Sequence, residues 1–148
     1  MKLELHDEIN EYLTAIEEYK NACNKVNTAK NKLSKHFKPL FYFDDANKNC
    51  FTVCPSSYEA MRRLGYRKET QSKPFFHEIA WYKCEKEITR SEYYETNSYI
   101  SNLTINSNGG IEEGYIYMIN HVSEEDKERI KEFLLNEYLK IVNKEQLQ

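Results

Sequence analysis

A concentration of arginines is the feature of this chain whose residue types and spacing most suggest chemistry. Three arginines fall within six residues, a lysine follows them, and two tyrosines lie beside them. We call this set the arginine cluster: Arg62, Arg63, Arg67 and Lys68 with Tyr58 and Tyr66. A guanidinium group binds phosphate or carboxylate through parallel hydrogen bonds, and a tyrosine ring can stack on a base. The cluster therefore predicts a site for a nucleotide-like ligand or for an acidic protein surface.

The same arginines also have a purely structural interpretation. Arg62 and Arg63 could pair with the acid-rich stretch 85–95, or with the acids that begin the last predicted helix at residue 123. The net charge of the chain is -3, whereas a protein that binds nucleic acid normally carries a longer basic stripe. The sequence favours the structural interpretation and disfavours nucleic acid as a partner, while a nucleotide-like ligand stays the alternative.

Catalytic motifs are missing from the sequence. It has no phosphate-binding loop, dinucleotide fingerprint, nucleophile elbow or zinc-protease helix, and only four glycines to bring backbone amides close to a phosphate. His77, Glu78 and Cys84 hold suitable groups, but neighbours in a strand, such as His77 and Glu78, point to opposite faces. We therefore predict no catalytic residues and no cofactor, which favours a protein that is not an enzyme.

The cysteines predict neither a metal site nor a disulfide framework. Cys50 and Cys54 lie in a predicted strand, where their spacing separates them by about 13 Å, too far for one zinc ion. A chain of 148 residues can also build a core without disulfides. We expect reduced thiols that act as small buried hydrophobic groups at Cys23, Cys50, Cys54 and Cys84.

The first forty residues contain a heptad pattern, in which apolar residues recur at alternating intervals of four and three. We call these residues the seam: Leu5, Ile9, Tyr12, Ile16, Tyr19, Cys23, Val26, Leu33 and Phe37. Lys30 alone interrupts the pattern, and Pro39 ends it. The seam predicts one helix over residues 1–38, about 50 Å long, whose apolar edge is covered by the C-terminal helix or by a second copy of the chain.

Charges on this predicted helix are sorted along its length. Residues 2–18 contain six acids and one lysine, whereas residues 20–38 contain six lysines and no acid. This distribution complements the helix dipole, which is the interpretation that the sequence favours. It would also place each acidic half against a basic half if two copies packed antiparallel, which predicts a homodimer. The two interpretations are compatible.

The other segments predict hairpins and two further helices. Residues 40–43 and 50–54 form one hairpin, and Ser56 with Glu59 caps a short helix over 57–64. Residues 67–74 form a loop and 75–84 a strand, while 85–97 stay undecided between strand and loop. A second hairpin joins 99–105 to 111–119 through NSNGG, and Ser123 caps a helix over 123–145.

These elements predict one α+β domain over residues 1–148. Residues 39–122 would form an antiparallel sheet of about five strands, from two hairpins and one further strand. The long N-terminal helix, the short middle helix and the C-terminal helix would pack on this sheet. Strands joined mainly by hairpins, with no alternation of parallel strands and helices, are typical of this fold class.

Composition bears on the origin and compartment of the protein. The chain contains 16 Lys, 14 Asn, 12 Tyr and 11 Ile, residues whose codons are rich in A and T, as in low-GC bacteria, their phages and mobile elements. It has no apolar run of about 18 residues and no basic, apolar leader, so we expect no membrane contact. We expect a location in the cytoplasm, which for a phage protein is the cytoplasm of the host cell. The sequence thus predicts a protein-interaction module, such as a phage protein that inhibits a host defence protein.

Overall fold

The computed structural model describes residues 5–44, 50–115 and 119–143. Within these residues the protein is α+β, with four helices and two antiparallel sheets, so the predicted fold class is confirmed. The helices are α1 (His6–Phe37), α2 (Ser57–Arg63), α3 (Arg90–Ser101) and α4 (Glu124–Val142). The strands are β1 (Phe41–Phe43), β2 (Thr52–Pro55), β3 (Tyr66–Ser72), β4 (His77–Lys83), β5 (Lys86–Ile88), β6 (Leu103–Asn106) and β7 (Ile111–Glu113). The chain divides into two units at the boundary between His36 and Phe37.

The first unit is the predicted long helix. α1 runs for 32 residues without a break, because no proline or glycine occurs before Pro39. Asp7 and Glu8 lie in its first turn, and Lys35 and His36 lie in its last turn, where they complement the helix dipole. Residues 1–4, with which the predicted helix began, lie outside the described residues.

A four-stranded sheet in the order β1-β2-β6-β7 forms one part of the second unit. Both predicted hairpins are present in it: Phe41 pairs with Pro55, and Ile105 pairs with Ile111. β2 joins the two hairpins by pairing with β6 at Val53 and Ile105. The turn at 45–49 and residues 116–118 of the predicted last strand lie outside the described residues.

A second, three-stranded sheet in the order β3-β4-β5 corrects the prediction of a single sheet with about five strands. Residues 67–74 were expected to form a loop, but 67–72 belong to β3 and pair with β4. The prediction failed because this part of β3 carries polar side chains on both faces, so hydrophobicity does not alternate along it.

The undecided stretch 85–97 forms β5 and most of α3. Thr89 caps α3 because its Oγ1 accepts a 3.0 Å hydrogen bond from the backbone N–H of Glu92, which is the spacing of a capping box. Tyr99 and Ile100 therefore belong to a helix, and the strand expected from residue 99 begins only at Leu103. The alternation of apolar residues over 99–105 reflects two elements that meet in one core.

The core of the second unit lies between the four-stranded sheet and helices α2, α3 and α4. The predicted caps of α2 and α4 are present, with Ser56 and Ser123 accepting hydrogen bonds from the third residue of each helix. α4 buries an apolar stripe that consists of Ile130, Leu134 and Tyr138. The core is largely aromatic around Tyr138, whose neighbours include Phe37 and Phe41.

Candidate functional site

The first two arginines of the arginine cluster converge on one carboxylate. Arg62 donates to Glu59 from Nη2 at 2.6 Å and from Nε at 3.3 Å, and Arg63 Nε donates to the same carboxylate at 2.9 Å. Arg63 also lies 3.7 Å from a carboxylate oxygen of Glu137 on α4. The prediction that Arg62 and Arg63 pair with acids in stretch 85–95 or at the start of α4 was therefore wrong. Glu59 lies three and four residues before its arginines, a spacing that would have predicted these pairs.

The electrostatic effect of this arrangement is concentrated on Glu59. Its side chain is mostly buried, yet hydrogen bonds from Arg62 and Arg63 lower the pKa of the carboxyl from 4.5 to about 2. A hydrogen bond to Glu59 also raises the pKa of Arg62. Because Glu59 holds both guanidinium groups, they have less capacity to bind an incoming phosphate. The geometry supports a role in joining α2 to α4.

The rest of the arginine cluster is spread over β3 and its neighbours. Arg67 pairs with Glu69 at 2.8 Å, stacks on Tyr82 at 4.4 Å and donates to the backbone carbonyl of Cys84. Lys68 donates to Tyr94 Oη at 3.5 Å.

The two tyrosines of the cluster lie in different surroundings. Tyr66 is only 4% exposed, and its hydroxyl accepts a 3.1 Å hydrogen bond from Arg129 Nη2. Tyr58 on α2, by contrast, is 78% exposed. Only Tyr58 offers a ring face to a ligand, so the structure does not bring the two tyrosines together as a pair of stacking surfaces.

The carboxylate of Glu59 gives a testable dependence of stability on pH. We expect Glu59→Gln to lower the melting temperature near neutral pH, because a neutral amide cannot accept charge-assisted hydrogen bonds from two guanidinium groups. The pKa of Glu59 is lower in the folded chain than its ordinary value of 4.5, so its stabilisation is complete above that pH and disappears as the pH falls towards about 2. Thermal unfolding followed by circular dichroism should show the difference from wild type shrinking over this range.

Glu69→Gln is the matched control, since Glu69 is an exposed partner of Arg67 and such pairs contribute little to stability. A Glu59→Gln effect of the same size at every pH would contradict the charge-based explanation.

His77 and Glu78 are among the other described residues whose side chains could take part in chemistry. His77 and Glu78 lie side by side in β4, where His77 contacts Ser72 Oγ at 3.3 Å and Glu78 lies 3.9 Å from Lys73. In the described ranges, no group of three His, Cys, Asp or Glu side chains is placed to hold a metal ion.

The cysteines are free thiols, but none of them is buried as expected. Cys50 lies two residues before the first residue of β2, and Cys84 lies in the turn between β4 and β5. Both are exposed. Cys23 and Cys54 are partly buried. Burial and the negative charge of Asp44 raise the pKa of the Cys54 thiol.

A hairpin that projects from the second sheet is the surface feature that the sequence did not predict. Residues 68–79 are all exposed, and we call them the hairpin arm. Pro74 and Phe75 form its turn, which is closed by a 2.8 Å hydrogen bond from the N–H of Lys73 to the carbonyl of Phe76. Phe75 is 97% exposed and Phe76 60% exposed, and we call these two residues the arm tip. Phe75 and Phe76 were expected in a strand, whereas β4 begins after them at His77.

The seam of α1 is a second apolar surface. In the single chain, six of its residues are exposed: Leu5, Ile9, Tyr12, Tyr19, Val26 and Leu33. Ile16 and Cys23 are partly buried, and Phe37 belongs to the core of the second unit. The C-terminal helix was one of two predicted covers, but its own apolar stripe is buried in the core of the second unit. A second copy of the chain, the other predicted cover, stays a prediction.

Searches of protein-family models, curated proteins and solved structures find no match to this chain. Among the described residues, no helix combines the length and apolar character that crossing a membrane requires. A proposal for the function of the chain therefore rests on its own geometry.

Proposed function

We propose that this chain is a protein-binding module that contacts its partner through the arm tip. The observation that carries the proposal is the exposure of Phe75 and Phe76 together, at the end of a ladder of seven residue pairs. Single exposed apolar residues are ordinary on protein surfaces, but two adjacent phenylalanines at the end of a regular hairpin are not. The ladder fixes the backbone of the arm before binding, which reduces the entropy lost on association.

The chemistry of the arm indicates the kind of partner that it fits. Within residues 68–79, Lys68 and Lys73 balance Glu69 and Glu78, so with His77 neutral the arm has no net charge. Lys73, next to the tip, also lies 3.9 Å from Glu78. Attraction to an anionic membrane needs an excess of basic residues, which the arm lacks. We therefore propose an apolar pocket on another protein as the binding site for the arm tip.

The identity that we propose for this partner follows from the composition of the chain. Its bias towards residues with A/T-rich codons supports an origin in a low-GC bacterium, a phage or a mobile element. For a phage protein the partner would be a host protein in the host cytoplasm, and the arm tip would inhibit it by occupying a pocket. A protein of a bacterial defence system is the target that we propose.

Affinity capture from a low-GC bacterial lysate, with the full chain as bait, tests the proposal. The double variant Phe75→Ser/Phe76→Ser should lose the captured protein, because truncating an aromatic residue at the centre of an interface weakens binding by about 30-fold or more. Tyr58→Ser is the matched control, since it removes a highly exposed aromatic residue outside the arm. Titration of the purified partner would then give the dissociation constants.

Three results would contradict this proposal. If the double variant still captures the partner, the partner binds outside the arm tip. If only Tyr58→Ser loses the partner, the arginine cluster is favoured as the binding site. Binding of the wild type to anionic vesicles, abolished by the double variant, would indicate a membrane instead. Nucleotide binding at the arginine cluster has less support, because Glu59 holds both Arg62 and Arg63. It predicts stabilisation by nucleotides that Arg62→Ala/Arg63→Ala removes.

A further inference from the structure

We propose that α1 binds α1 of a second copy of this chain in antiparallel orientation, as a two-stranded coiled coil. The seam runs along the helix with one interruption at Lys30, and six of its residues are exposed in the single chain. A heptad pattern is the sequence signature of helices that pair along their length. This proposal is independent of the arm tip, since it uses a different unit of the chain.

Small residues along one flank of the seam support close helix packing. Ala15, Ala22 and Ala29 are spaced seven residues apart, and each directly precedes a core position of the heptad pattern. They are half of the six alanines in the chain, so their concentration on this helix is not a matter of general composition. Leu13, which is 56% exposed, extends the apolar surface on the other flank.

One register satisfies the apolar and the small residues together. It places Ile9 against Leu33 of the second copy and Ile16 against Val26 of the second copy. The partly buried Cys23 then meets Tyr19 of the second copy. On the flank, Ala22 meets its own equivalent at the two-fold axis, and Ala15 meets Ala29. The pairing covers Ile9 to Leu33 and does not require Phe37, which is buried in the second unit.

Charge complementarity favours a second copy of the chain, in antiparallel orientation, as the partner that covers the seam. The described acids lie in the first half of α1: Asp7, Glu8, Glu11, Glu17 and Glu18. An antiparallel copy lays this acidic half of α1 along the lysine-rich second half of its partner, whereas a parallel copy lays acidic half along acidic half. Of these acids, only Glu8 lies on a flank of the seam. Lys30, which interrupts the seam, then lies beside Tyr12 and Glu11 of the second copy. The opposed helix dipoles add to this preference.

One repulsive contact remains in this register. Lys20 faces its own equivalent near the two-fold axis. In water this repulsion is weak because the dielectric constant is high, and long lysine side chains can move apart. The contact of Lys30 with Glu11 of the second copy, which the two-fold axis repeats, opposes this repulsion.

Sedimentation of the full chain tests whether it self-associates. The wild type should sediment with twice the chain mass of 17.7 kDa, and Ile16→Asp should sediment as a soluble monomer because it places a charge in the centre of the apolar contact. Thr14→Asp is the matched control, since Thr14 lies outside the seam and is exposed, and it should stay dimeric. Unchanged melting of the second unit would show that Ile16→Asp has not unfolded the protein.

Disulfide trapping tests the orientation. In a variant whose four native cysteines are replaced, Ile9→Cys and Leu33→Cys are made in separate chains. An antiparallel dimer should form a disulfide only when the two chains are mixed, because like positions lie at opposite ends of the pair, about 36 Å apart. A parallel dimer would cross-link each variant to itself.

A wild type that is monomeric at the highest soluble concentration overturns the proposal, and so do self-linked disulfides. Insoluble Ile16→Asp protein would also count against it, since the seam would then belong to a folded core. Phe75→Ser/Phe76→Ser should leave the dimer intact, which separates this test from that of the arm tip.

Discussion

Replacing Tyr138 with alanine should lower the free energy of unfolding by about 3–5 kcal/mol, the cost of removing a large aromatic side chain from a core. Tyr138 is 2% exposed, its ring stacks on Phe37 at 6.1 Å, and it meets Phe41 edge-on at 6.4 Å. This one substitution therefore removes the contacts of α4 with Phe41 on β1 and with Phe37. Urea unfolding at neutral pH, monitored by circular dichroism, would measure the loss.

Two controls separate the aromatic contact from a general effect on α4. Tyr138→Phe keeps the ring and should cost less than about 1.5 kcal/mol. Leu139→Ala changes the next residue, which is 44% exposed, and should cost far less than Tyr138→Ala. A Tyr138→Ala variant that loses less than about 1 kcal/mol would mean that the aromatic cluster does not stabilise the fold.

The parts of the fold that sequence predicted are those specified by local patterns. α1 follows from an unbroken heptad pattern, and the Ser56 and Ser123 caps follow from side chains that satisfy the first free N–H groups of a helix. The two predicted hairpins were likewise marked by turn residues between apolar strands. Each of these signals acts within a few residues, so one sequence is sufficient to detect it.

The failures occurred where an element is stabilised by its neighbours in the fold and its own residues carry a weak or misleading pattern. β3 carries polar residues on both faces beyond Tyr66 and is held by its hydrogen bonds to β4, which its own composition does not reveal. α3 had a detectable signal, since Thr89 and Glu92 have capping-box spacing. The alternating residues around Tyr99 suggested a strand instead, although burial in the shared core accounts for them.

The candidate surfaces show the same division. The seam could be predicted because its residues are close in sequence, although its exposure could not. The arm tip could not be predicted, because Phe75 and Phe76 have the composition of a buried strand. Only the pairing of β3 with β4 places them in a turn, and this pairing depends on the second sheet as a whole.

Replacing Gly65 with alanine should lower the free energy of unfolding by about 2–5 kcal/mol. Gly65 joins α2 to β3 with a φ of +91°, a left-handed conformation that costs residues with a Cβ about 1–2 kcal/mol. A Cβ at this position would also lie 2.8 Å from Cys84 Sγ, so the Cys84 side chain or its turn would have to move. Overpacking of this kind typically adds about 1–3 kcal/mol. The change can be followed by urea unfolding.

Gly109 offers a matched control, because its φ is +80° and a Cβ there would meet no atom within 4 Å. Gly109→Ala should therefore show only the conformational cost, about 1–2 kcal/mol. In a Cys84→Ala background, Gly65→Ala should become nearly as mild as Gly109→Ala, since the sulfur atom that the new Cβ would strike is gone. The difference between the two backgrounds measures the contact as a coupling energy. If Gly65→Ala lowers the free energy of unfolding equally with and without the Cys84 thiol, the backbone conformation alone accounts for its cost. The close approach of Gly65 to Cys84 would then have no role.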